Sequence, residues 1–445
     1  MANIEVNEEH LMTRLRWRII PWVMFLYIVT IVDRVNIGFA ALGMNKDLGI
    51  SMTVFGTVAG IFFVSYFLFE IPSNVILHRV GARIWIARIM ITWGIITLLT
   101  AFVRGVWDLA ICRFLLGAAE AGFYPGIVLY FTYWFPAKHH ARAVSLFLVG
   151  MGTAGIVGGP IATWIIDNLQ WFGLPGWRWI FLVEGVITLL CGVATLLIMV
   201  DRPKDAKYLS TAEKQWLAAR LSTEQAARTQ VVRISKWGTL KNGRVWYFTL
   251  CYFGYAFGMS LFLFWVPQIL KRLSSVLTNT EVGWISSIPF VCAIIVMVLI
   301  ARHSDRVMER RWHSGLSMFA MVVALLALTQ TDSLVLSVIL LSVAASGIYS
   351  FVAVFWALPT AVLGEATAAV GIAMINAIGN LGGFVGPQVF GWLADVTHST
   401  VAGTLVTAAA VLMTTILTIC VPKRHEQAAT GELTIGKVEA GAPAS

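Results

Sequence analysis

Long hydrophobic segments separated by short polar loops recur along nearly the whole chain. Each segment has about 20 residues, the length that a helix needs to cross a hydrocarbon core about 30 Å thick. The short alternating segments of a membrane β-barrel are not part of this pattern. The sequence therefore predicts an all-α integral membrane protein with twelve transmembrane helices, at 18–40, 55–77, 84–103, 107–134, 144–167, 178–200, 246–269, 282–301, 315–331, 334–358, 366–393 and 402–421.

Composition and charge support a membrane protein. Of 445 residues, 58% are hydrophobic and only 12% are charged, which is too apolar for a soluble chain. The net charge is +9, but 25 of the 32 Lys and Arg residues fall on one side of the membrane when the loops are assigned to alternating sides. The positive-inside rule makes that side cytoplasmic. We therefore expect a multi-pass protein of the inner (plasma) membrane with both termini in the cytoplasm, and no nucleic-acid partner.

The two halves of the chain repeat each other. The segments "LHRVGAR" and "HSDRVMERR" align Arg79 with Arg306, and "GTAGIVGGP" and "GNLGGFVGP" align Gly152 with Gly379. Both pairs are 227 positions apart, which indicates a duplicated six-helix unit and two bundles related by a pseudo-two-fold axis. We expect an N-terminal bundle at 1–200, a cytoplasmic linker at 201–243, a C-terminal bundle at 244–425 and a disordered cytoplasmic tail at 426–445.

Two local patterns refine this division. The glycine runs of both halves predict close helix packing, because small residues let helix backbones approach each other in lipid. Pro160 and Pro387, at the ends of those runs, predict bends in their helices. Within the linker, Ser210 and Glu213 have the spacing of a capping box and predict a short surface helix.

Four charged residues lie away from the ends of the predicted spans of the first half. Asp33 and Arg34 are in span one, and Arg113 and Glu120 are seven residues apart on one face of span four. Each such charge costs about 2.5–3.5 kcal/mol or more at mid-bilayer. The second half has no charge at the corresponding positions, so the charges are not needed to assemble a bundle, and we expect them to be functional. Those positions are Ser260, Leu261, Leu340 and Gly347.

Their balance suggests a mechanism. Two arginines and two carboxylates sum to zero when all are ionised, and an incoming anion upsets that balance. Protonating a carboxylate restores it and frees an arginine, whose planar fork binds a carboxylate with two hydrogen bonds. Burial disfavours an ionised carboxylate, so Asp33 and Glu120 are the expected proton-coupling residues, and Arg34 and Arg113 bind the substrate. The hypothesis is uptake of a small organic anion coupled to proton entry.

Uncharged polar residues within the spans extend the candidate site. Contacts with substrate and hydrogen bonds between helices explain them about equally well. Glu70 and Glu184 fall nearer the ends of their spans, where they could reach an interface or cap a neighbour. The uncharged candidates for substrate binding are Asn36, Tyr66, Asn376 and Asn380.

The residues that would support enzymatic or metal chemistry are not arranged for it. The five cysteines fall within spans without a C-x-x-C pair, and the eight histidines lie in tails or loops. There is no nucleophile–base pair and no phosphate-binding loop. We expect no enzyme activity, no cofactor and no metal site.

Taken together, the motifs resemble the major facilitator superfamily and, within it, the anion:cation symporter family of phthalate, tartrate, hydroxyphenylacetate and sugar-acid permeases. The resemblance covers about residues 15–425 and rests on "DRVNIGFA", "IPSNVILHRVGAR", "CRFLLGAAEAGFYPG", "YWFPAKHHARA" and "GWRWIFLVEG". It implies two six-helix bundles around a central cavity that work by a rocker-switch, with Asp33, Arg34, Arg113 and Glu120 in coupling and binding and Tyr66 as the span-two tyrosine. A monomer is expected.

The resemblance also implies gating loops after spans two and eight. The first loop departs from the superfamily pattern, since Asn74 and His78 stand where glycine and aspartate are expected. We therefore expect the gate to use altered pairing. The gating residues implied are Arg79, Gly81, Arg83, Asp305 and Arg306.

Alternatives remain open at this point. An exchanger or exporter of the same superfamily would share these motifs, and the glycine-proline runs resemble those of exporters. A receptor or sensor would need the 201–243 linker as its output element, but that segment contains no recognisable signalling domain. Which organic anion is carried is not determined by the motifs.

Overall fold

The computed structural model describes residues 6–229, 241–274 and 276–421. The predicted disordered tail at 426–445, and positions 230–240 of the predicted linker, lie outside the described residues. Within the described residues, twelve helical segments are long and apolar enough to cross a membrane, which confirms the predicted number of spans.

The first half contains seven membrane helices and one linker helix, because span four is divided in two. They are α1 (Glu8–Asp47), α2 (Met52–Val80), α3 (Ala82–Thr100), α4 (Val106–Glu120), α5 (Phe123–Thr132), α6 (Ala137–Asn168), α7 (Gly176–Ile198) and α8 (Thr211–Thr229), with 3₁₀ turns at Trp171–Gly173 and Pro203–Asp205. Span four breaks at Gly122, whose φ of +89° is a left-handed conformation that disfavours any residue with a Cβ. The break follows the end of α4 at Glu120.

The second half also contains six candidate spans among the described residues. Its helices are α9 (Gly243–Ser260), α10 (Val266–Leu273), α11 (Asn279–Val307), α12 (Arg311–Leu328), α13 (Leu334–Phe355), α14 (Ala357–Gly379), α15 (Gly382–Thr397) and α16 (Thr400–Ile419). A π-helical turn at Leu261–Trp265 joins α9 to α10 and precedes Pro267. Since proline has no N–H, the regular hydrogen-bond ladder is interrupted there, and the π turn accommodates the break.

The linker helix α8 docks beneath the first half. Ser210 and Glu213 form the predicted capping box, with the Ser210 N–H donating to Glu213 Oε2 at 2.8 Å and the Glu213 N–H donating to Ser210 Oγ at 3.2 Å. Arg14 Nη2 on α1 donates to both oxygens of Glu213, at 2.8 and 2.9 Å. We call the end where α1 begins and α8 docks the linker end, and the opposite end, where α1 ends at Asp47, the far end.

The two bundles contact each other in the far-end half of the molecule. Helix α6 packs on α11, α2 packs on α15, and α1 packs on the π turn and α10. A Cβ on Gly159 would lie 3.0 Å from the carbonyl oxygen of Gly283, so this crossing brings the backbones of α6 and α11 together. This contact fits the predicted close packing of the glycine runs. The far end is therefore closed.

Candidate functional site

Arg34 and Glu120 form a buried ion pair in the first half. Arg34 Nε donates to Glu120 Oε1 at 2.6 Å, and Arg34 Nη2 pairs with the same oxygen. The Glu120 side chain is fully buried, whereas the Arg34 side chain is 23% exposed. Glu120 Oε2 has no hydrogen-bond partner among the described residues. The pair thus leaves one buried carboxylate oxygen unsatisfied and one guanidinium partly accessible.

Arg113 contacts an aromatic ring that Arg34 also contacts. The Cζ atoms of Arg34 and Arg113 lie 5.3 and 5.2 Å from the centroid of the Phe62 ring, and Arg34 Cζ is also 5.2 Å from the Tyr66 ring. Such cation–π contacts contribute about 0.5–2 kcal/mol. Arg113 Nε is buried and unpartnered in the described part of the chain. Two arginines therefore converge on Phe62, and Arg113 has a hydrogen-bond donor that is not yet used.

Asp33 turns toward α3. It accepts a hydrogen bond from Trp93 Nε1 at 2.9 Å and another from Thr97 Oγ1 at 3.2 Å, and it is 3% exposed. The charges of Arg113 and Arg34 act on it. The Asp33 carboxylate thus interacts electrostatically with Arg34 and Arg113, whereas its hydrogen bonds come from α3 inside the first bundle. Trp93 and Thr97 were missed in the sequence, where "ITWGIITLLT" reads only as a hydrophobic span.

Tyr66 and Asn36 occupy different surroundings. Tyr66 is buried and packs on Arg34, beside the ion pair. Asn36 is 0% exposed, and neither atom of its side-chain amide has a hydrogen-bond partner in the residues described. The structure therefore brings Tyr66, but not Asn36, into contact with the arginine pair.

The predicted amides of the second half meet the first half at Glu70. Asn376 Nδ2 donates to Glu70 Oε1 at 3.5 Å, and Asn380 Nδ2 donates to Asn376 Oδ1 at 3.3 Å. Glu70 is buried, and the charge of Arg34 acts on it. Glu70 thus contacts the second half across the boundary between the two bundles, a role that the sequence did not suggest for it.

Tyrosines from both halves surround the same region. In the second half, Tyr252 lies 5.0 Å from Tyr255 and 4.9 Å from Trp356, measured between ring centroids. Tyr27 and Tyr124 of the first half lie near Tyr252, and their own ring centroids are 6.1 Å apart. None of these four tyrosine hydroxyls hydrogen-bonds another described residue. The second half therefore presents hydroxyls, amides and rings opposite the arginines.

The predicted gating loops lie at the linker end. The backbone N–H of Arg83 donates to Asp201 Oδ1 at 2.8 Å, and Gly81 turns the chain with φ of +100°. In the second loop Asp305 pairs with Arg310. The remaining two gating residues, Arg79 and Arg306, are exposed.

At the far end, two aspartates join the halves by capping helices across the interface. Asp395 of α15 accepts from the backbone N–H groups of Met52 and Thr53 at 3.1 and 2.8 Å and from Thr53 Oγ1 at 2.6 Å, at the start of α2. A carboxylate at a helix N-terminus satisfies free N–H groups and interacts favourably with the helix dipole. This cap ties α15 to α2.

The other pair of helices has the matching cap. Asp167 of α6 accepts from the Thr280 N–H at 2.8 Å and from Thr280 Oγ1 and Asn279 Nδ2 at 2.7 Å each, at the start of α11. Met52 and Asn279 are 227 positions apart, as in the sequence repeat, and Asp167 and Asp395 are 228 apart. Sequence reasoning missed both caps, although this spacing could have signalled them.

Comparisons with known proteins agree with this architecture. The family model described as Major Facilitator Superfamily matches residues 23–387 and 248–439. A protein of Agrobacterium vitis named "Putative tartrate transporter" is 44% identical over 421 residues, covering 95% of this chain and 93% of that protein. A protein of Acinetobacter baumannii named quinolone resistance transporter is 35% identical over 430 residues, covering 97% of this chain and 99% of that protein.

The fold also matches solved structures. The crystal structure of a bacterial homologue of the human lysosomal transporter Spinster, inward-facing and unoccupied, superposes with a TM-score of 0.72 at 16% identity, covering 93% of this chain and 97% of that one. That likeness shows the fold. The similar sequences are those of transporters and not of enzymes. The chain belongs to the major facilitator superfamily of membrane transporters.

Proposed function

We propose that this transporter imports a small organic anion together with protons across the inner membrane by rocker-switch alternating access. The observation that carries the proposal is the buried Arg34–Glu120 pair with Arg113 beside it. An arginine that already holds a carboxylate can exchange it for the carboxylate of a substrate. The exchange leaves Glu120 without its partner in a buried site, where an ionised carboxylate costs several kcal/mol.

Protonation of Glu120 removes that cost. The substrate carboxylate then takes the place of the Glu120 charge, and the site stays neutral overall. Release of substrate on the cytoplasmic side re-forms the ion pair and expels the proton. Asp33 is the second proposed proton-coupling residue, because it balances the charge of Arg113 and its hydrogen bonds come from α3 instead of from an arginine.

The residues that the second half contributes to the site suggest which substrates fit it. The second half contributes Asn376, Asn380 and the tyrosines Tyr252 and Tyr255, which are uncharged. We therefore propose a substrate that presents one carboxylate to Arg34 and Arg113 and turns hydroxyls or an aromatic ring toward the second half. Sugar acids and aromatic acids have this chemistry. Tartrate has it together with a second carboxylate, whose charge is balanced when Asp33 is protonated as well as Glu120, and the similarity to a protein named as a tartrate transporter supports organic acids of this class.

The role proposed for Tyr66 is to hold the guanidinium of Arg34 and to donate its hydroxyl to the substrate. Asn36 is also proposed to bind substrate, although its side chain is fully buried while the far end is closed. A direct contact between Asn36 and substrate requires α1 to rotate during transport.

Topology completes the proposal. The excess of Lys and Arg on the linker side supports a cytoplasmic location for that side and for both termini. With the far end closed, we propose that the structure represents the inward-facing state. Arg79, Gly81, Arg83, Asp305 and Arg306 then lie on the cytoplasmic side, where we propose that they close the gate when the halves rock. The protein is proposed to work as a monomer in the lipid bilayer.

The test is uptake into proteoliposomes, preceded by a thermal-shift screen of purified protein against tartrate, phthalate, 4-hydroxyphenylacetate and gluconate. Bound substrates stabilise the protein in proportion to the logarithm of concentration over Kd. For the compound that binds, Glu120→Gln is expected to abolish acceleration of uptake by an inward proton gradient. Glu9→Gln, at an exposed position, is the control and is expected to leave that acceleration intact. Gradient dependence that survives Glu120→Gln would refute the role of Glu120.

A second candidate function is export or exchange, which the similarity to a protein named as a quinolone resistance transporter favours. Net uptake driven by an imposed inward proton gradient separates symport from exchange. Both support counterflow in vesicles without a gradient, but an exchanger shows no net uptake when the gradient is imposed. An exporter expels a preloaded compound when protons are supplied from the opposite side.

A further inference from the structure

Glu184 of α7 is a buried carboxyl group that the proposed transport cycle does not use. It is 6% exposed, and neither of its side-chain oxygens has a hydrogen-bond partner in the described structure. An ionised carboxylate in such a site costs several kcal/mol, whereas a protonated one is neutral. Its surroundings therefore decide whether Glu184 can hold a proton that the transport cycle uses.

Packing between α3 and α7 sets the level of Glu184 along the bundle. The two helices are antiparallel, and a Cβ on Gly185 would lie 2.8 Å from the Leu98 nitrogen. One turn further, a Cβ on Gly94 would lie 2.8 Å from the Leu189 nitrogen. Glu184 therefore lies within about one helical turn of Thr97, the residue next to Leu98. Because Thr97 donates to Asp33, Glu184 is near Asp33 as well.

Packing between α1 and α7 independently places Glu184 at the same level along the bundle. Trp177 Nε1 donates to Asp47 at 2.7 Å, and a Cβ on Gly43 would lie 3.4 Å from the Trp177 ring. Seven residues, or two turns, along each antiparallel helix lead from Gly43 to Asn36 and from Trp177 to Glu184. Asn36 and Glu184 therefore lie at the same level on facing sides of α1 and α7.

The polar atoms at this level are unsatisfied as a group. Both amide atoms of Asn36, both carboxyl oxygens of Glu184 and the hydroxyl of Thr188, one turn along α7, are buried and unpartnered among the described residues. Buried polar groups are normally hydrogen-bonded. A set of unpartnered atoms beside Asp33 is therefore unusual for a purely structural region, and the charge of Asp33 acts on Glu184.

We propose that Glu184 is a third proton-holding residue beside Glu120 and Asp33, which keeps a proton while Asp33 is ionised and exchanges it with Asp33 during transport. The O–H bond of the Glu184 acid breaks as an O–H bond forms on the Asp33 carboxylate, so the pair keeps one proton and one negative charge. The Thr188 hydroxyl, one turn along α7, can relay the proton by accepting one and donating another, whereas the Asn36 amide can only hydrogen-bond the carboxyl groups. This inference rests on the proposed function and extends it, because it adds Glu184 as a residue that holds a proton near Asp33.

The groups facing Glu184 are consistent with a shared proton. Helix α1 brings Asp33 to this level, and α3 brings Trp93 and Thr97, which are neutral. Helix α6 meets α7 where Gly176 packs on the backbone of Ile166, about two turns from Glu184. Arg113 acts on Asp33 from α4. Two carboxyl groups close together do not ionise independently, so their protons belong to the pair.

Infrared spectroscopy tests proton occupancy without any substrate. At neutral pH the wild-type protein is expected to show the carbonyl band of a buried protonated carboxylic acid, and Glu184→Gln is expected to lose it, whereas Glu9→Gln keeps it. A spectrum that Glu184→Gln leaves unchanged would overturn the proposal. Should that variant not fold, glutamate labelled with ¹³C in Glu70→Gln/Glu120→Gln decides: an isotope-shifted acid band supports the proposal and its absence overturns it.

Proteoliposomes then test coupling, with tartrate as the first probe. In Glu184→Gln the acceleration of uptake by a proton gradient is expected to fall about tenfold, equivalent to about 1.4 kcal/mol. Glu184→Asp, which keeps a carboxyl group, is expected to retain most of it, and Glu9→Gln all of it. Full acceleration in Glu184→Gln would overturn the coupling role even if the infrared band is present. The infrared result stands whatever the substrate proves to be, so the two failures are distinguishable.

Discussion

Removing the two inter-bundle caps is expected to open the far end. Asp167→Ala and Asp395→Ala each delete three hydrogen bonds to a carboxylate at a helix start. Hydrogen bonds to charged groups contribute about 1.5–3 kcal/mol each, but water replaces part of that at a half-exposed site, and loss of an N-cap costs about 0.5–2 kcal/mol. We expect about 1–2 kcal/mol per cap, or about 5- to 30-fold in the ratio of closed to open far end.

The effects of the two caps should add, because the caps lie on separate helix pairs. The double variant is then expected to shift the ratio by about 2–4 kcal/mol. Spin labels at Lys46 and Asp332, exposed at the far end of each half, report the opening as a longer distance in double electron–electron resonance. The expected result is a long-distance population that grows from the wild type through the single variants to the double variant.

A control variant separates loss of an inter-bundle cap from loss of any cap. Thr278 caps α11 from within its own half. Thr278→Ala weakens the start of α11 without removing the Asp167 contact between the halves, so the distance distribution should not change. The Ser51 hydroxyl interacts with Asp395 itself, so Ser51→Ala is not a matched control for the other cap. An unchanged distribution in the double aspartate variant, or an equal shift in Thr278→Ala, would show that the caps do not hold the far end closed.

Two further predictions concern stability and the linker. Gly122→Ala forces a Cβ into a left-handed conformation against Ser73 and should lower the unfolding free energy by about 1–3 kcal/mol in a thermal melt, whereas Gly105→Ala, where a Cβ meets open space, should cost far less. Burial acts to raise the pKa of Glu213, but hydrogen bonds from Ser210 and Arg14 outweigh it and lower the pKa below the ordinary 4.5. The ionised Glu213 side chain thus helps to dock α8 on α1 at neutral pH, and this contribution is lost as the pH falls through the lowered pKa. Limited proteolysis of α8 should therefore accelerate only in that acidic range. Cleavage that is equally fast at neutral pH would contradict the docking.

Much of the fold could be predicted because the membrane imposes it. Helix number follows from the length of the hydrocarbon core, and the duplication follows from the spacing of two motifs. The pairing of Arg34 with Glu120 could be anticipated, since unpaired charges are too costly at that depth. These features depend on composition and local pattern, which the sequence contains directly.

Other features depend on how helices rotate against each other. Asp33 and Arg34 are neighbours in sequence, yet one bonds to α3 and the other to α4. The sequence places Glu70 near the end of its span, whereas the structure brings it to Asn376 of the second half, across the boundary between the two bundles. The caps by Asp167 and Asp395 join residues more than a hundred positions apart, and a one-residue difference in spacing hides their equivalence.

In the proposed cycle, substrate replaces Glu120 at Arg34, and Glu120 then takes up a proton. Proton uptake can be counted when purified protein binds the compound found by the thermal-shift screen, with a pH indicator in weakly buffered solution. We expect protons to be taken up on binding in the wild type and not in Glu120→Gln. Binding without proton uptake in the wild type, or equal uptake in both proteins, would rule out this exchange.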